Sequence, residues 1–329
     1  MGGSSHQLTD QLELEASLIV RPHQEEDDAG FARLLSLVMS AEFDAKLLRE
    51  RLDRWSQKYR YALVALLEGQ VVGILEMVQA GKAGTATTRI VVDPDLRGKG
   101  IGSALLREAK ANPEYASRRL FAEVRDSDPL SLKFIEKEGF YTMVHSFESI
   151  LDPANFDISQ FQPYIDQTLA AGIRIASMAE LGDTEENLYK LWEIEHVTDL
   201  DIPGIDTDEL TSWEDARKSW FTASWYDPAA EFVALDGDRW VGLSGTAELS
   251  AGRFYVQHTC TLREYRGRGI AMALKALATE YARNRGSRML ITHNNAGNAP
   301  MLAMNKKFGF VPQPGWFRLA REPLFEGEK

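Results

Sequence analysis

Cysteine is almost absent from the 329-residue sequence, which contains Cys260 alone. One thiol cannot close a disulfide within the chain, and it cannot supply a zinc-binding cysteine cluster. No apolar run approaches the roughly 20 residues that a membrane-spanning helix needs. The first residues carry neither a basic segment nor an apolar core, so 1–16 is expected to be a disordered leader rather than a secretory signal. These absences predict a cytoplasmic protein with no bound metal and no membrane contact.

Basic residues are also scarce in this sequence. Lys and Arg number 37 against 49 Asp and Glu, which gives a formal net charge of −12. Neutralising the phosphates of a nucleic acid requires basic surface, so no nucleic acid is expected as a partner. The composition is otherwise that of a folded protein, with 44% hydrophobic residues. A length of 329 residues exceeds what one hydrophobic core usually supports, so two domains are predicted.

Two stretches of the sequence repeat each other. RIVVDPDLRGKGIGSALLREAKA and HTCTLREYRGRGIAMALKALATEYA align on Arg97 and Arg266, which lie 169 residues apart. DPLSLKFIEKEGF and NAPMLAMNKKFGF follow in the same order. The step from the arginine to the Gly-Phe pair is 42 residues in the first copy and 43 in the second. Features that recur in order at matched spacing indicate a tandem duplication.

Each copy shows the same order of predicted elements, in which hairpins precede a strand–helix–strand unit and a final helix ends at glycine. This order predicts an α/β fold with a mixed, twisted sheet. Copy one is assigned to 17–152 and copy two to 172–329, with a last strand near Trp316–Ala320. The segment 153–171 contains two prolines and precedes Gly172, and it is interpreted as the linker.

A glycine-rich loop stands between a predicted strand and a predicted helix in each copy. The loops read RGKGIG from Arg97 and RGRGIA from Arg266. Glycine allows φ > 0, so successive N–H groups can turn towards one anion, and the helix start adds free N–H groups and a partial positive charge. Both loops therefore predict phosphate or pyrophosphate sites. The P-loop pattern is absent, and the dinucleotide fingerprint fails at its third glycine, where Ser103 and Met272 stand.

The loop pattern R-x-x-G-x-[GA] after a strand, followed by N-x-x-[AM] and a later G-F, resembles the acetyl-CoA motifs of the GNAT N-acetyltransferase superfamily. Both copies follow it, and together they cover nearly the whole chain, an arrangement like that of the mycothiol synthases. The resemblance implies two tandem GNAT-type acyl-CoA N-acyltransferase domains, in which two strands splay apart around the pantetheine arm of acetyl-CoA. It further implies that backbone groups of one strand bind this arm and that the glycine loop binds the pyrophosphate.

The resemblance carries these roles to named residues in each copy. In copy one the implied acetyl-CoA residues are Ile90, Val91, Val92, Arg97, Gly98, Lys99, Gly100, Ile101, Gly102 and Ser103. In copy two they are Thr259, Cys260, Thr261, Arg266, Gly267, Arg268, Gly269, Ile270, Ala271, Met272, Asn298 and Asn305.

Two positions depart from the family pattern. In many members a tyrosine seven residues after the motif Asn protonates the leaving thiolate, but Ile135 and Asn305 occupy that position here. Copy one also carries Asp128 in place of the motif Asn, and its charge would lie near an anionic cofactor. The usual acid is therefore missing from both copies, although a thiolate is a good leaving group and water could serve.

Acetyl transfer to an amine needs a base, because an ammonium group has a pKa of about 10. The copy-two strand RFYVQHTCT offers Tyr255 on one face and His258 on the other, whereas the copy-one strand ATTRIVV has little acid–base capacity. Glu248 on the preceding strand is a further candidate. A structural role for the histidine and an exposed strand-end charge for Glu248 are the alternatives. Copy two is favoured as the catalytic copy.

Eight acidic residues and no Lys or Arg lie between 195 and 215. They are Glu195, Asp199, Asp201, Asp206, Asp208, Glu209, Glu214 and Asp215. An acidic lip that attracts a cationic amine is one interpretation, and a solvated acidic loop is the other. Trp213, Trp220 and Trp225 could wall a pocket there or belong to the core. A calcium loop is excluded, because Pro203 and Leu210 stand where ligands are needed.

The sequence thus predicts a function from the chemistry of its two copies. The chain is expected to transfer acetyl from acetyl-CoA to the amine of a small molecule by direct attack. The alternative is a protein that binds or senses acyl-CoA without catalysis.

Overall fold

The computed structural model describes residues 17–38, 44–54, 60–79, 84–203 and 210–324. The strands are β1 Ile19–Pro22, β2 Arg60–Leu67, β3 Gln70–Gln79, β4 Thr85–Val92, β5 Arg119–Arg125, β6 Tyr141–Leu151, β7 Arg174–Ser177, β8 Glu231–Asp236, β9 Arg239–Ser250, β10 Arg253–Thr261, β11 Met289–Asn295, β12 Val311–Pro312 and β13 Trp316–Arg321. The helices are α1 Asp28–Ser36, α2 Ala45–Arg54, α3 Ile101–Ala111, α4 Pro113–Ala116, α5 Pro129–Lys137, α6 Gln162–Ala170, α7 Met178–Leu181, α8 Glu185–Asp199, α9 Trp213–Ser219, α10 Ile270–Asn284 and α11 Ala299–Phe308. Within these ranges, no helix combines the length and the apolar character that crossing a membrane requires. The expected leader 1–16 lies outside the described residues, as do Asp206, Asp208 and Glu209.

Two compact units divide the chain. The first consists of Met1–Val124, Asp128–Met143 and Arg318–Lys329, and the second of Arg125–Ser127 and Val144–Phe317. In the first unit, β1 to β4 pair antiparallel in chain order and β4 pairs parallel with β5. Its core contains the side chains of Phe31, Leu34, Val64, Ile74 and Val91. Phe31 and Leu34 are spaced as neighbours on one helix face, and Val64 alternates along β2 with the buried Ala62 and Leu66, so α1 and β2 each turn an apolar face to this core.

The second unit repeats this arrangement with its own strands. β7, β8, β9 and β10 pair antiparallel in that order, β10 pairs parallel with β11, and β11 pairs antiparallel with β6. Phe254 of β10, Met272 of α10 and Phe308 of α11 meet in one buried cluster. The mixed sheets confirm the predicted α/β fold.

The last strands of the two copies do not stay with their own copies. β6 and the segment 311–321 are equivalent in sequence, because each follows a Gly-Phe pair. Most of β6, from Val144, belongs to the second unit, whereas β13 from Arg318 belongs to the first. The sequence-based boundaries, 17–152 and 172–329, place both strands in the opposite unit. A strand pattern shows which face is buried, but it does not show which sheet the strand joins.

The segment interpreted as a linker, 153–171, is helical. Two short 3-10 helices, Pro153–Asn155 and Ile158–Phe161, precede α6. The Phe161 ring stacks on Phe308 with 4.1 Å between ring centroids, and both rings are buried. The segment therefore contributes to the core of the second unit, and its prolines stand at helix starts, where a missing N–H costs no hydrogen bond.

Candidate active site

A cleft opens in the second unit where β10 and β11 separate. The two parallel strands pair over three residues, from Arg253 with Met289 to Tyr255 with Ile291. Beyond that point β10 continues to Thr261 and β11 to Asn295, and a cleft of about 620 Å³ lies between them. Its volume is in the range of pockets that hold small molecules and cofactors.

A β-bulge in β10 coincides with the start of this cleft. Val256 is opposite Thr246 of β9, and Thr259 is opposite Ser244, so Gln257 and His258 together face Gly245. A bulge leaves one residue outside the hydrogen-bond ladder and re-aims its backbone groups. The cleft therefore has backbone polar groups at its inner end that β9 does not pair.

The glycine loop of copy two lies at the other end of the cleft. Gly267 and Gly269 adopt left-handed conformations with φ of 75° and 83°, and Gly269 is the N-cap of the 15-residue helix α10. A Cβ at Gly269 would lie 3.0 Å from the Tyr164 ring, so the loop backbone needs glycine for both conformation and space. The loop thus presents free N–H groups at a helix N-terminus, as an anion site requires.

Arginine side chains surround this loop and are held by one acid. Nε of Arg266 donates to the Thr261 carbonyl over 3.1 Å. Arg263 and Arg266 both form ion pairs with Asp201, and their hydrogen bonds hold the pKa of that carboxyl down to about 2. Asp201 belongs to the acidic run that suggested a lip for an amine, but the structure places it beside the loop arginines instead.

Acetyl-CoA fits the residues that line this cleft. The buried Thr261 hydroxyl has no hydrogen-bond partner in the described chain, and it lies on the cleft wall, where a ligand could satisfy it. The loop supplies the anion site that a pyrophosphate needs. Of the copy-two residues implied by the family resemblance, ten line the cleft: Thr259, Cys260, Thr261, Arg266, Gly267, Gly269, Ile270, Ala271, Met272 and Asn298. Arg268 instead packs its guanidinium on the Tyr265 ring, 4.8 Å from the centroid.

A second pocket, of about 240 Å³, meets the cleft at the bulge. Gln257 and His258 line both spaces. Two carboxylates, Glu195 of α8 and Glu231 of β8, lie in this second pocket. Its aromatic walls are Trp220, Phe221, Trp225, Tyr226 and Tyr255. Trp213, which the sequence analysis grouped with these tryptophans, packs against Trp192 at a centroid distance of 6.0 Å.

Glu231 reaches this pocket because its neighbour across the sheet is glycine. Glu231 pairs with Gly245 in the β8–β9 register, and a Cβ at Gly245 would lie 1.8 Å from Oε2 of Glu231. Gly245 is also the residue that faces the bulge. The Glu231 side chain therefore crosses β9 in the space that Gly245 leaves and points its carboxylate towards Gln257 and His258.

The two pocket carboxylates have raised pKa values. Burial, together with the charge of Glu195, raises the pKa of Glu231 to about 8, and burial with the charge of Asp199 raises the pKa of Glu195 to about 8. No residue in the described ranges donates a hydrogen bond to either carboxylate. Two acids that lack a cation in an aromatic-walled pocket form a site that favours a positively charged ligand.

His258 is held by helix α8. Its Nε2 donates to Thr198 Oγ1 over 3.1 Å, because that hydroxyl donates its own hydrogen to the Ile194 carbonyl. Nδ1 lies 3.6 Å from Asp199 Oδ1. Burial lowers the pKa of His258 to about 4, so the ring is neutral at neutral pH. With both ring nitrogens towards α8, His258 is suited to fixing the bulge rather than to taking a substrate proton.

The other two base candidates lie in different places. Tyr255 faces the second pocket, and its hydroxyl is 3.1 Å from Nδ1 of His293, whose Nε2 is 3.3 Å from Glu148. Burial raises the pKa of Tyr255. Glu248 is exposed at the end of β9, where its carboxylate accepts from the Gly252 N–H over 3.1 Å. The structure therefore brings Tyr255 to the site and leaves Glu248 at a hairpin turn.

The two asparagines of α11 have different roles. Asn298 caps the helix, accepting from the Met301 N–H over 3.3 Å. Asn305 is buried one layer behind the cleft, where its Oδ1 accepts from Lys275 Nζ over 2.5 Å. Lys275 and Glu231 are functional candidates that no sequence motif marks. In the sequence, Glu231 is simply the first residue of a predicted strand. Its pairing with Gly245 becomes visible only in the register of β8 with β9.

Copy one has an equivalent glycine loop, but the strand before that loop lacks the bulge found in copy two. Gly98 and Gly100 repeat the left-handed conformations with φ of 77° and 85°, and Asp128 caps α5 by accepting from the Ser131 N–H over 3.0 Å. The strand that carries Ile90, Val91 and Val92 pairs with β3 over seven consecutive residues without a bulge. Where copy two has Gly245, copy one has Glu76, which is 2% exposed and pairs with Arg89 at 3.2 Å. At this position copy one thus has a glutamate that is paired with an arginine, whereas copy two has a glycine beside an unpaired glutamate.

Comparison with known proteins agrees with the duplication. The model of the Acetyltransferase (GNAT) family matches residues 29–140 and again residues 188–310. The mycothiol acetyltransferase of Mycolicibacterium vanbaalenii is 27% identical over 261 residues, which cover 74% of this chain and 76% of that protein. A GCN5-related N-acetyltransferase of Sphaerobacter thermophilus matches with a TM-score of 0.59 and 18% identity, over 95% of this chain and 98% of that one. A tandem GNAT protein from the clavulanic acid biosynthesis pathway matches with a TM-score of 0.52 and 19% identity, over 95% and 99% of the two chains.

Proposed function

Because the chain belongs to the GNAT acetyltransferase family, we propose that it transfers acetyl from acetyl-CoA to the amine of a small molecule and that its second unit carries out the reaction. The observation that carries this proposal is the meeting of two pockets at the β10 bulge, where Gln257 and His258 line both. One pocket has the anion loop that a CoA ester needs, and the other has the carboxylates that an ammonium group needs. The mycothiol acetyltransferase among the relatives supports a small-molecule acceptor.

On the cofactor side, acetyl-CoA supplies an acetyl group activated as a thioester. The N–H groups of 267–272 bind its pyrophosphate, and backbone groups of Thr259–Thr261 bind its pantetheine arm. The bulge directs a backbone N–H from Gln257 or His258 at the thioester oxygen, where it stabilises negative charge as the amine attacks.

On the acceptor side, Glu231 and Glu195 bind the incoming ammonium between aromatic walls. The proton that Glu231 holds in the empty pocket leaves when the ammonium binds beside it, and the ionised carboxylate then takes a proton from that ammonium, which leaves the amine neutral and able to attack. A carboxylate whose pKa is raised to about 8 holds that proton better than an ordinary glutamate does, so the transfer is less uphill. Tyr255 and the exposed His293 provide a route by which the proton reaches solvent.

Direct attack is preferred over an acetyl-cysteine route. Cys260 lines the cleft, but burial raises the pKa of its thiol to about 12. A thiol that stays protonated is a poor nucleophile at neutral pH. The amine therefore reacts with the thioester without an intermediate on the enzyme.

Paired glycine variants test this proposal. Gly269 and Gly100 are both left-handed N-caps with φ of 83° and 85°, so Gly269→Glu and Gly100→Glu impose a similar backbone strain. The new carboxylate in Gly269→Glu repels the pyrophosphate at the catalytic copy. We expect that variant to bind acetyl-CoA in the second unit at least about 30-fold more weakly, which is 2 kcal/mol, and to release no CoA with a panel of small cationic amines.

The Gly100→Glu variant should keep wild-type CoA release with the same amines. Calorimetry with acetyl-CoA and a thiol assay measure the two quantities, and thermal melting checks that both variants are folded. Loss of turnover in Gly100→Glu alone would assign catalysis to copy one. Tight binding of acetyl-CoA with no CoA release from any amine would instead favour a protein that binds or senses acyl-CoA.

A further inference from the structure

A lysine is buried at the inner end of the acetyl-CoA cleft. Lys275 is 1% exposed, yet it contributes to the cleft wall. It lies six residues after Gly269 on α10, about 9 Å along the helix from the loop. Its ammonium lies 5.0 Å from the centroid of the Phe310 ring, within the cluster that includes Phe254. Phe254 belongs to the part of β10 that still pairs with β11, so Lys275 is near the apex from which the strands separate.

The hydrogen bonds of Lys275 are few and neutral. Nζ donates to Asn305 Oδ1 over 2.5 Å, and Asn305 donates to Asn294 Oδ1 over 2.6 Å. Asn294 in turn donates to Ser149 Oγ over 2.9 Å. Within the described residues, no carboxylate forms an ion pair with Lys275. An ammonium group has three N–H donors, so this chain of amides orients the lysine and leaves donors available to the cleft.

Packing does not require a lysine at this position. The equivalent residue of copy one is Leu106, which is 1% exposed in the same kind of helix. A buried ammonium without a counter-charge costs free energy that leucine avoids. Of the described Lys and Arg side chains that line the cleft, Lys275 is buried, whereas Arg266 and Lys307 are exposed. Copy two therefore holds a proton donor deep in the cleft, although burying its charge costs folding free energy that Leu106 in copy one does not cost.

We propose that Lys275 is the acid that protonates the sulfur of the departing CoA thiolate, with Asn305 as the residue that positions it. This role rests on the proposed function, because it assumes that the thioester lies between the cleft and the bulge. The acetyl carbon must reach the bulge to meet the amine, so its sulfur lies on the cleft side of that point, towards Lys275.

The step exchanges a carbon–sulfur bond for a carbon–nitrogen bond. The amine nitrogen forms a bond to the acetyl carbon, and the bond from that carbon to sulfur breaks with its electron pair left on sulfur. Lys275 donates one proton to that sulfur and becomes neutral. The amine nitrogen gives up two protons in all: Glu231 passes the first to solvent before the attack and takes the second as the amide forms, and Lys275 regains its own proton from solvent after CoA leaves. Burial lowers the pKa of Lys275 to about 7, so the lysine releases and regains a proton near neutral pH.

The ionisation of bound CoA tests this role without turnover. A nearby ammonium stabilises a thiolate, so wild-type protein should lower the thiol pKa of bound CoA by at least about one unit relative to free CoA. We would titrate bound CoA by the ultraviolet absorbance of its thiolate in the wild type, Lys275→Met and Lys307→Met. Lys275→Met should abolish the shift, whereas Lys307→Met removes an exposed charge from the same cleft and should retain it.

Two more variants keep the test decisive if Lys275→Met is unstable. Lys275→Leu restores the residue of copy one, and Lys275→Arg keeps the charge but holds its proton. Lys275→Arg should retain the thiol shift and, with any amine that turns over, lower kcat about 100-fold with little change in KM for acetyl-CoA. Recovery of wild-type kcat by Lys275→Arg would contradict the assignment.

The outcomes separate this role from the proposed function. Wild-type protein that binds CoA but leaves its thiol pKa unchanged overturns the role of Lys275 and leaves acetyl transfer intact. A wild-type protein that gains an acetyl group on Lys275 in intact-mass measurements also overturns it, because the lysine then acts as a nucleophile. Absence of any CoA binding in calorimetry overturns both.

Discussion

A Glu231→Gln variant is expected to lose acetyl transfer and to gain thermal stability. Glutamine has the shape of a protonated glutamate, so it fits the space that Gly245 leaves, but it cannot ionise to hold an ammonium or accept its proton. Removing the charged partner of a buried ion pair costs about 2–5 kcal/mol, so we expect at least a 30-fold loss in kcat/KM for the amine. Calorimetry should show that acetyl-CoA binding is unchanged, because Glu231 does not line that cleft.

The gain in stability follows from the raised pKa of Glu231. The folded protein holds this proton up to about pH 8, whereas an unfolded chain releases it near the ordinary value of 4.5. Between these values the folded state binds more protons, so the free energy of unfolding falls as pH rises through that window. Glutamine does not ionise, so the Glu231→Gln variant does not lose this part of its free energy of unfolding as pH rises. Its melting temperature should therefore exceed that of the wild type most clearly at pH 8 and should match it more closely near pH 4.5.

A neighbouring glutamate provides the control. Glu193 lies on α8 two residues before Glu195 and is exposed, so Glu193→Gln removes one charge without touching the pocket. We expect its kinetics and its melting profile to follow the wild type. A Glu231→Gln protein that melts earlier than the wild type at pH 8 would show that the carboxylate is not an unpaired acid in the ligand-free protein. A variant that keeps its kcat/KM would show that Glu231 neither binds nor deprotonates the amine.

The sequence allowed the duplication, the α/β fold and the conformations of both glycine loops to be predicted. Each of these depends on local features, such as Gly267 and Gly269 between a strand and a helix. The second pocket depends on register, which no single stretch contains. Glu231 and Gly245 are 14 residues apart in the sequence and become partners only when β8 pairs with β9. The acids between 195 and 215 drew attention to Glu195, while the acid opposite it stood outside that run.

The difference between local sequence features and strand pairing also explains why the predicted domain boundaries differ from the two compact units. The tandem repeat predicts two equivalent copies, and a cut between the copies at 152 is the natural consequence. The repeat cannot reveal which unit each final strand joins, because β6 and the 311–321 segment are equivalent in sequence wherever they pair. The contacts decide it: β6 pairs with β11 over six residues, from Ser146 with Asn295 to Leu151 with Leu290.

Fragments of the second unit should therefore fold or fail according to whether they include β6. A fragment of residues 144–317 contains nearly the whole unit, whereas 153–317 lacks the strand next to β11. Without β6, the β11 edge is unpaired, the Asn294 amide loses its bond to Ser149, and the buried Leu151 is missing from the core. Single domains are stable by only about 5–15 kcal/mol, so loss of the β6 strand should unfold the shorter fragment or make it aggregate through the newly unpaired edge of β11.

Circular dichroism melts and sedimentation compare the two fragments directly. The longer fragment should melt cooperatively as a monomer and bind acetyl-CoA, since the cleft and its glycine loop lie within the second unit. A synthetic peptide of residues 144–152 added to the shorter fragment should restore part of that binding, because strand pairing supplies what was removed. If the shorter fragment melts at the same temperature as the longer one, β6 is dispensable to the second unit. The second unit would then fold without any strand of copy one, as the repeat suggests.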